Sequence, residues 1–163
     1  MDSIWSKTCE IPGREPLRGE LKTRAVVIGA GMAGVLIASA LQEAGIKTAV
    51  LEADRIAGGQ SRNTTAKITA QHGLIYRRLM DDFGPEKAGQ YARANLRAVE
   101  TYRRLIHERG IDCDFQEQRA YLYGDSRDQL EAEAAAARTL GLPAAFVEAP
   151  ELPISAAGAV AAN

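Results

Sequence analysis

Near the start of the chain, the hydrophobic positions change from a short continuous run to helical spacing and back again. Residues 24–28 form a β-branched, apolar run, which is typical of a strand buried on both faces of a parallel sheet. Residues 35–44 have the composition of a helix that Gly45 ends, and residues 47–51 form a second apolar strand. The pattern predicts a strand, a helix and a strand, and we expect the first strand and the helix to be buried.

A long helix is predicted between Pro85 and Arg109. Apolar residues recur there at three- and four-residue steps, with proline in the first turn and Gly110 just past the end. Charges opposite an apolar stripe are typical of a surface helix, so its arginines are interpreted as a solvated face rather than a ligand site. These arginines are Arg93, Arg97, Arg103, Arg104 and Arg109.

Shorter elements follow the long helix. Residues 114–123 favour a strand, and Ser126 with Gln129 forms a capping box that begins a second helix. Residues 145–148 favour another short strand, whereas residues 154–163 contain neither a capping signal nor a closing signal. These elements are expected to begin a region different from the βαβ unit.

A glycine-rich turn joins the first strand to the first helix. Gly29, Gly31 and Gly34 fit the pattern G-x-G-x-x-G. The first glycine permits the tight turn, the second lets the backbone approach a pyrophosphate, and the third lets the helix pack closely on the strand. The N-terminus of the helix would direct free N–H groups and a positive dipole end at the phosphates. The motif therefore predicts a dinucleotide site rather than a turn that only packs a helix on a sheet.

An acidic residue, Glu52, ends the second strand. A carboxylate at this place accepts hydrogen bonds from both ribose hydroxyls and repels a 2′-phosphate, which favours FAD or NAD over NADP. Ala38, Leu41 and Gly45 extend the motif to G-x-G-x-x-G-x(3)-A-x(2)-L-x(3)-G-x(6)-E. This longer pattern, close to the N-terminus, resembles the FAD site of the glutathione-reductase-like flavoproteins.

Composition excludes several other classes of protein. A net charge of −1 gives no attraction to nucleic acid or to an anionic membrane, so neither is expected as a partner. The two cysteines, Cys9 and Cys113, form no CxxC, which argues against a dithiol centre and against a metal site. The N-terminus lacks the pattern of a secretory signal, so a cytoplasmic location is expected. The apolar stretch 25–41 is shorter than the roughly 20 residues that a bilayer requires.

Three regions are predicted along the chain. Residues 1–22 suit an extended N-terminal arm, which Ile4 and Trp5 would anchor. Residues 23–84 contain the βαβ unit and a loop rich in hydroxyl side chains, and residues 85–163 begin the second region. A doubly wound sheet usually has two βαβ halves, whereas only one glycine fingerprint is present here. The nucleotide-binding domain is therefore expected to be incomplete.

Two stretches together resemble a known family. They are the fingerprint ending in Val50-Leu51-Glu52 and the segment GGQSRNTTAKITAQHGLIY, which begins at Gly58. Over roughly residues 3–160 the chain looks like the N-terminal part of the D-amino-acid-oxidase-like FAD-dependent oxidoreductases, which include glycine and sarcosine oxidases. The long segment and the opening Ser3-Ile4-Trp5 are similar to a bacterial subset whose members often have a C-terminal Rieske iron–sulfur domain.

The resemblance implies an α/β fold: a Rossmann-like FAD-binding βαβ unit of the glutathione-reductase type, followed by the start of an inserted α+β substrate domain. It also implies oxidation of an amine or amino-acid C–N bond by hydride transfer to flavin. Members of the family are longer, so this chain is expected to be a truncated fragment that is inactive by itself and whose catalytic residues are unknown. By position, the residues implied to contact FAD are Gly29, Ala30, Gly31, Met32, Gly34, Glu52, Ala53, Arg55, Gly59, Gln60, Ser61, Thr64 and Thr65.

Several alternatives stay open at this point. One alternative is an NAD-dependent dehydrogenase domain, although such a domain does not need the segment GGQSRNTT. Another is a non-catalytic nucleotide-binding module left by truncation. The hydroxyl side chains of that segment would also serve as helix caps without any ligand. His72 is interpreted as a structural hydrogen-bonding residue rather than a base, because no carboxylate partner is evident. The sequence leaves the oligomeric state open.

Overall fold

The computed structural model of the chain describes residues 3–148 and 156–162, except for the side chain of Ser6. The chain divides into two compact units between Lys67 and Ile68, earlier than the predicted boundary between residues 84 and 85. The first unit contains α1 (Ile4–Thr8), β1 (Ala25–Ile28), α2 (Met32–Glu43), β2 (Thr48–Leu51) and a 3₁₀ helix (Gln60–Asn63). The second unit contains α3 (Tyr76–Arg109), β3 (Ala120–Gly124), α4 (Arg127–Thr139), β4 (Ala144–Val147) and β5 (Gly158–Ala162).

The first unit has the predicted βαβ order. Strands β1 and β2 are parallel, with Val27 opposite Val50, and α2 packs against both strands. Gly45, just past the end of α2, has a φ of 71°, a left-handed conformation that glycine adopts without a steric penalty. The described residues therefore confirm a mixed α/β fold with a parallel sheet. Among them, no helix is both long enough and apolar enough to cross a bilayer.

The expectation that β1 and α2 are buried is wrong. Val26 is 51% exposed and Ile28 is 87% exposed, and none of the residues of α2 is buried. Side chains alternate between the two faces of a strand, and the side chain of Val27 faces Gly34 of α2. Helix α2 thus covers one face of β1, and no described element of the first unit covers the face that bears Val26 and Ile28.

The N-terminal arm differs in part from its prediction. Ile4–Thr8 form the short helix α1, whereas residues 9–23 have neither helical nor strand structure. The indole of Trp5 donates a hydrogen bond to Thr64, so this side chain anchors the arm as expected. Ile4 is 61% exposed and contributes little to that anchor.

In the second unit, α3 contains the predicted long helix and an earlier segment that the sequence pattern did not indicate. Gly84 has φ 78° and ψ 163°, which interrupts the helix immediately before Pro85. The helical part after this break ends at Gly110, whose φ of 57° is left-handed. The predicted helix from Pro85 to Arg109 is therefore confirmed, and Tyr76 begins an additional segment before the break.

The last three strands form an antiparallel sheet in the order β3–β5–β4. Val160 of β5 lies opposite Leu122 of β3 and opposite Phe146 of β4, and every residue of β5 is buried. The strand predicted at residues 145–148 is present as β4, and the one predicted at 114–123 is shortened to β3. Strand β5 lies in the stretch 154–163 that gave no signal, of which residues 154, 155 and 163 lie outside the described residues.

A buried carboxylate joins α4 to the start of α3. Glu133 is 1% exposed, and its side chain accepts hydrogen bonds from the backbone N–H groups of Ile75, Tyr76 and Arg77 at 2.9–3.0 Å. Gln71 Nε2 donates to the same carboxylate at 2.7 Å. These bonds cap α3 from a neighbouring helix, which explains why residues 68–84 belong to the second unit rather than to the βαβ unit.

The core of the second unit lies between α3, α4 and the antiparallel sheet. Leu130, Ala134 and Val160 are at most 1% exposed, and the ring of Tyr76 is fully buried against this cluster. Burial raises the pKa of Tyr76 to about 12, with a smaller contribution from the neighbouring Tyr91 and Glu133. The Tyr76 hydroxyl donates to the carbonyl oxygen of Ala70, so the buried phenol is satisfied.

Candidate cofactor site

The three glycines of the turn after β1 differ in what the fold requires of them. Gly29 has a φ of 95°, which favours glycine. A β-carbon at Gly34 would lie 1.9 Å from the carbonyl oxygen of Gly29, so no side chain fits there. Gly31 has an ordinary φ of −76°, and a β-carbon there would meet only the Ser61 hydroxyl, at 3.3 Å. The fold therefore requires glycine at the first and third positions, whereas at the second a β-carbon would crowd only the Ser61 hydroxyl.

The backbone N–H and the carbonyl oxygen of Ala30 both form hydrogen bonds within the protein. Its N–H donates to Glu52 Oε2 at 2.8 Å, and its carbonyl oxygen accepts from the N–H of Ala57 at 2.9 Å. Ala30 is 3% exposed. Because both polar groups are engaged within the protein, Ala30 shapes the turn, and its N–H is not directed at a ligand.

Glu52 connects the end of β2 to the glycine turn. Its side chain accepts from the N–H of Ala30 and, at 3.1 Å, from the N–H of Asp54. These backbone hydrogen bonds, the one from Ala30 foremost, hold the pKa of Glu52 below the usual range of a glutamate. The side chain is exposed, and each carboxylate oxygen has a second lone pair, so Glu52 also has capacity to accept from ribose hydroxyls.

The N-terminus of α2 is open to an anion. Its N-cap residue, Gly31, has no side chain, and the first turn contains no acidic residue to neutralise the helix dipole. Ser61 Oγ accepts from the N–H of Met32 at 2.8 Å. The following N–H groups, of Ala33 and Gly34, have no acceptor in the part of the chain that the structure describes. The geometry is that of a helix-terminal phosphate site.

The hydroxyl-rich segment begins with the 3₁₀ helix Gln60–Asn63, which places Ser61 beside the turn. Gly59, the residue before this helix, has a φ of −87° and no atom within 4 Å of the position of a β-carbon. Thr64 follows it in an extended conformation, exposed except for its contact with Trp5. Gly59 thus borders open space, whereas a β-carbon at Gly31 would contact the Ser61 hydroxyl.

Other residues implied by the resemblance lie further from the turn. Ala53 and Arg55 are exposed just after β2, and the Arg55 carbonyl oxygen accepts from the N–H of Gly58 at 2.9 Å. Within the described ranges, no hydrogen bond joins Arg55, Gln60 or Thr65 to the glycine turn. The structure therefore brings Ala30, Glu52, Met32 and Ser61 together, and leaves the remaining side chains of the set available on the surface of the same unit.

Two contacts were not predicted from the sequence. They join Ser61 to Met32 and Trp5 to Thr64. Both join residues far apart in the chain, and neither belongs to a pattern with fixed spacing. The only signal in the sequence was that both segments, Ser3-Ile4-Trp5 and GGQSRNTT, belonged to the same resemblance. That signal indicated a shared family without indicating a contact.

His72, His107 and the arginines of α3 were interpreted from the sequence as structural or surface residues, and several of them contact other side chains of the protein. His72 Nδ1 lies 3.4 Å from the hydroxyl of Tyr91, and the ring of His107 packs edge-on against Phe115 with centroids 6.3 Å apart. Arg103 pairs with Glu100 and with Glu117 on the surface of α3. These contacts agree with a hydrogen-bonding role for His72 and with a solvated face for the arginines.

A cavity of about 330 Å³ lies at the C-terminal end of α3, where His107, Cys113 and Phe115 are among its lining residues. It contains none of the residues implied to contact the cofactor. Cys9 and Cys113 are both free and exposed. Among the described residues, no cluster of three or more histidine, cysteine, aspartate or glutamate side chains is arranged to hold a metal ion.

The chain belongs to the FAD dependent oxidoreductase family, DAO, whose family model matches residues 24–161. Members of this family use FAD as cofactor, and the match includes both the glycine turn and the hydroxyl-rich segment. Membership also agrees with the parallel βαβ unit observed here.

The chain is similar to a putative Rieske 2Fe-2S iron–sulfur protein, YhfW, of Bacillus subtilis (strain 168). The two sequences are 33% identical over 122 residues, which cover 75% of this chain and 24% of the relative. The chain thus spans about a quarter of the length of this curated relative. No solved structure matches the chain significantly.

Proposed function

We propose that this chain forms the ADP-binding side of the FAD site of a flavoenzyme that oxidises a C–N bond in an amine or amino acid. The observation that supports this most strongly is the ordinary backbone conformation of Gly31 at the N-terminus of α2. Its backbone is compatible with any residue, yet a side chain there would project beside the open N-terminus of α2. A pyrophosphate that approaches the backbone closely is a physical reason for glycine at this position.

The residues around Gly31 fit the diphosphate of FAD. The N–H groups at the start of α2 supply donors, and the helix dipole favours negative charge there. Ser61 and Thr64 would add hydroxyl groups along the pyrophosphate and the ribityl chain. No atom lies within 4 Å of a β-carbon position at Gly59, which would allow the cofactor to pass close to the backbone there.

Glu52 would hold the ribose of the adenosine. Its carboxylate is exposed, and the backbone hydrogen bonds that lower its pKa favour the ionised form. An ionised acceptor forms charge-assisted hydrogen bonds with ribose hydroxyls. Arg55 and Ala53, which follow directly, would border the adenine or its ribose.

FAD, when bound, supplies the acceptor for the hydride that leaves the substrate carbon. The residues of this chain would contribute by binding and orienting the ADP portion. In the whole protein, the first unit would belong to a Rossmann-like domain of the glutathione-reductase type. The second unit, with its antiparallel sheet and helices, would begin the inserted substrate domain. By analogy with the relative from Bacillus subtilis, a Rieske domain would accompany it.

The substrate class is tested on the whole flavin-loaded protein under anaerobic conditions. A panel of primary amines, secondary amines and amino acids is added, and the flavin absorbance near ~450 nm is followed. At least one amine or amino acid should bleach the flavin, whereas the matched hydroxy acids should leave it oxidised. Bleaching by hydroxy acids alone would contradict the proposed C–N chemistry.

A further inference from the structure

The N-terminal helix α1 reaches the hydroxyl-rich segment through the single tryptophan of the chain. Trp5 Nε1 lies 3.1 Å from the carbonyl oxygen of Thr64 and 3.1 Å from the Thr64 hydroxyl oxygen. One N–H is thus shared between two acceptors of one residue. These two contacts join the arm to the hydroxyl-rich segment, although the two residues are far apart in the chain.

The direction of this hydrogen bond determines whether the Thr64 hydroxyl is still able to donate a hydrogen bond. An indole N–H only donates, so the Thr64 oxygen must accept. A hydroxyl that accepts in this way still has its own hydrogen to donate. Thr64 is exposed and lies just past the 3₁₀ helix in which Ser61 contacts the N-terminus of α2. The hydrogen bond from Trp5 therefore leaves the Thr64 O–H available as a donor.

We propose that Trp5 is a positioning residue of the FAD site. By donating to Thr64, it fixes the hydroxyl-rich segment and orients the Thr64 O–H toward the phosphate or ribityl oxygens of the cofactor. This inference rests on the proposed function, because it assumes that the segment borders FAD. It goes beyond that function by making α1, which lies outside the glycine fingerprint, part of the cofactor site.

The variant Trp5→Phe tests this role, since it keeps an aromatic ring and removes the N–H. FAD binding to the full chain is measured by equilibrium titration, with flavin fluorescence as the signal. We expect Trp5→Phe to weaken FAD binding about five- to tenfold, the scale of one or two lost hydrogen bonds. Thr8→Val is the matched control, because it removes the hydrogen bond from the Thr8 hydroxyl to the Ile4 carbonyl within the same helix without touching Thr64. The control should bind FAD as the wild type does.

A double-mutant cycle with Thr64→Val separates positioning from general stability. If Trp5 acts through the Thr64 hydroxyl, Trp5→Phe should weaken FAD binding much less in the Thr64→Val background than in the wild type. The same fold-change in both backgrounds would overturn the positioning role and leave only a structural one. Trp5→Phe with wild-type affinity would overturn it as well.

The wild type serves as the reference that separates the two proposals. In the wild type, FAD should quench the emission of Trp5, because oxidised flavin absorbs where tryptophan emits. Failure of the wild type to bind FAD would refute the proposed function, and the inference about Trp5 with it. Binding by the wild type with an unaffected Trp5→Phe variant would refute the inference alone.

Discussion

At the scale of single residues, the glycine turn offers three positions with different physical constraints. Gly29 needs a left-handed φ, Gly34 needs the absence of a β-carbon, and Gly31 needs neither for the fold. This difference allows the cofactor role of the turn to be separated from its structural role by substitution. The sequence pattern predicted all three roles, but only the structure shows which glycine the fold does not require.

Gly31→Ala should weaken FAD binding by at least about tenfold, since the methyl group would occupy the space that the pyrophosphate needs. The fold should persist, because the φ of −76° suits alanine and the one close neighbour is a side-chain hydroxyl. FAD titration combined with circular dichroism measures both properties.

Two other glycines serve as comparisons. Gly34→Ala should destabilise the fold itself, because its β-carbon would meet a backbone oxygen at 1.9 Å. Gly13→Ala should change neither property, since no atom lies within 4 Å of its β-carbon position. Full FAD affinity in Gly31→Ala would show that the turn is only structural.

Glu52 gives a pH dependence with a definite sign. Because its pKa is lowered from the ordinary value of 4.5 in the folded chain, its contribution to stability is complete well above that value and is lost as the pH falls through the lowered pKa. The difference in unfolding free energy between wild type and Glu52→Gln should therefore stay constant from about pH 7 to pH 5 and shrink only below roughly pH 4. Denaturant titrations across this range test it, and a difference that already shrinks between pH 7 and pH 5 would contradict the assignment.

At the scale of elements, the start of α3 depends on a carboxylate from another helix. Ile75, the N-cap residue of α3, makes no side-chain cap, and Glu133 of α4 accepts three backbone N–H groups there instead. The carboxylate is buried and fully engaged. Such a cap cannot be recognised from local spacing, which is why the helical segment before Gly84 was not predicted.

Glu133→Gln should lower the free energy of unfolding by about 2–4 kcal/mol. The substitution replaces one carboxylate oxygen, an acceptor, with an NH2 group that only donates, so buried backbone N–H groups lose their partner. Urea denaturation gives the value. The matched control is Glu131→Gln on the same helix, which affects an exposed pair with Arg127 and should cost less than about 1 kcal/mol. Equal losses for the two variants would show that the cap contributes no more than a surface ion pair.

Elements with strong local signals were predictable, and elements defined by tertiary contacts were not. The N-cap predicted at Ser126 is present, with Ser126 Oγ accepting from the N–H of Gln129 at 3.4 Å. Gly110 and Gly141 end helices with left-handed φ. Strand β5 was missed because its sequence, GAVAA, has neither alternation nor large β-branched residues. Its small side chains are suited to the centre of a sheet beneath α4, and that position cannot be read from the strand itself.

At the scale of the whole molecule, the two units differ in how completely they are packed. The second unit has a core of buried alanine and leucine side chains around Tyr76. In the first unit, large apolar residues of β1, α2 and β2 are exposed, as Ile28 and Ile37 illustrate. The sequence predicted the order of these elements and the cofactor class, whereas their burial depended on neighbours that the local pattern does not specify.

The central claim, that the first unit binds the ADP side of FAD, is tested most directly by equilibrium titration of this chain with FAD, ADP and FMN. FAD should bind no more than modestly tighter than ADP, both at about micromolar or weaker affinity, and the two should compete, because the described residues would hold mainly the ADP portion and reach no further than the ribityl chain. FMN lacks the adenosine and should not bind. Absence of binding by both FAD and ADP, or binding of FMN as tight as that of FAD, would contradict the claim.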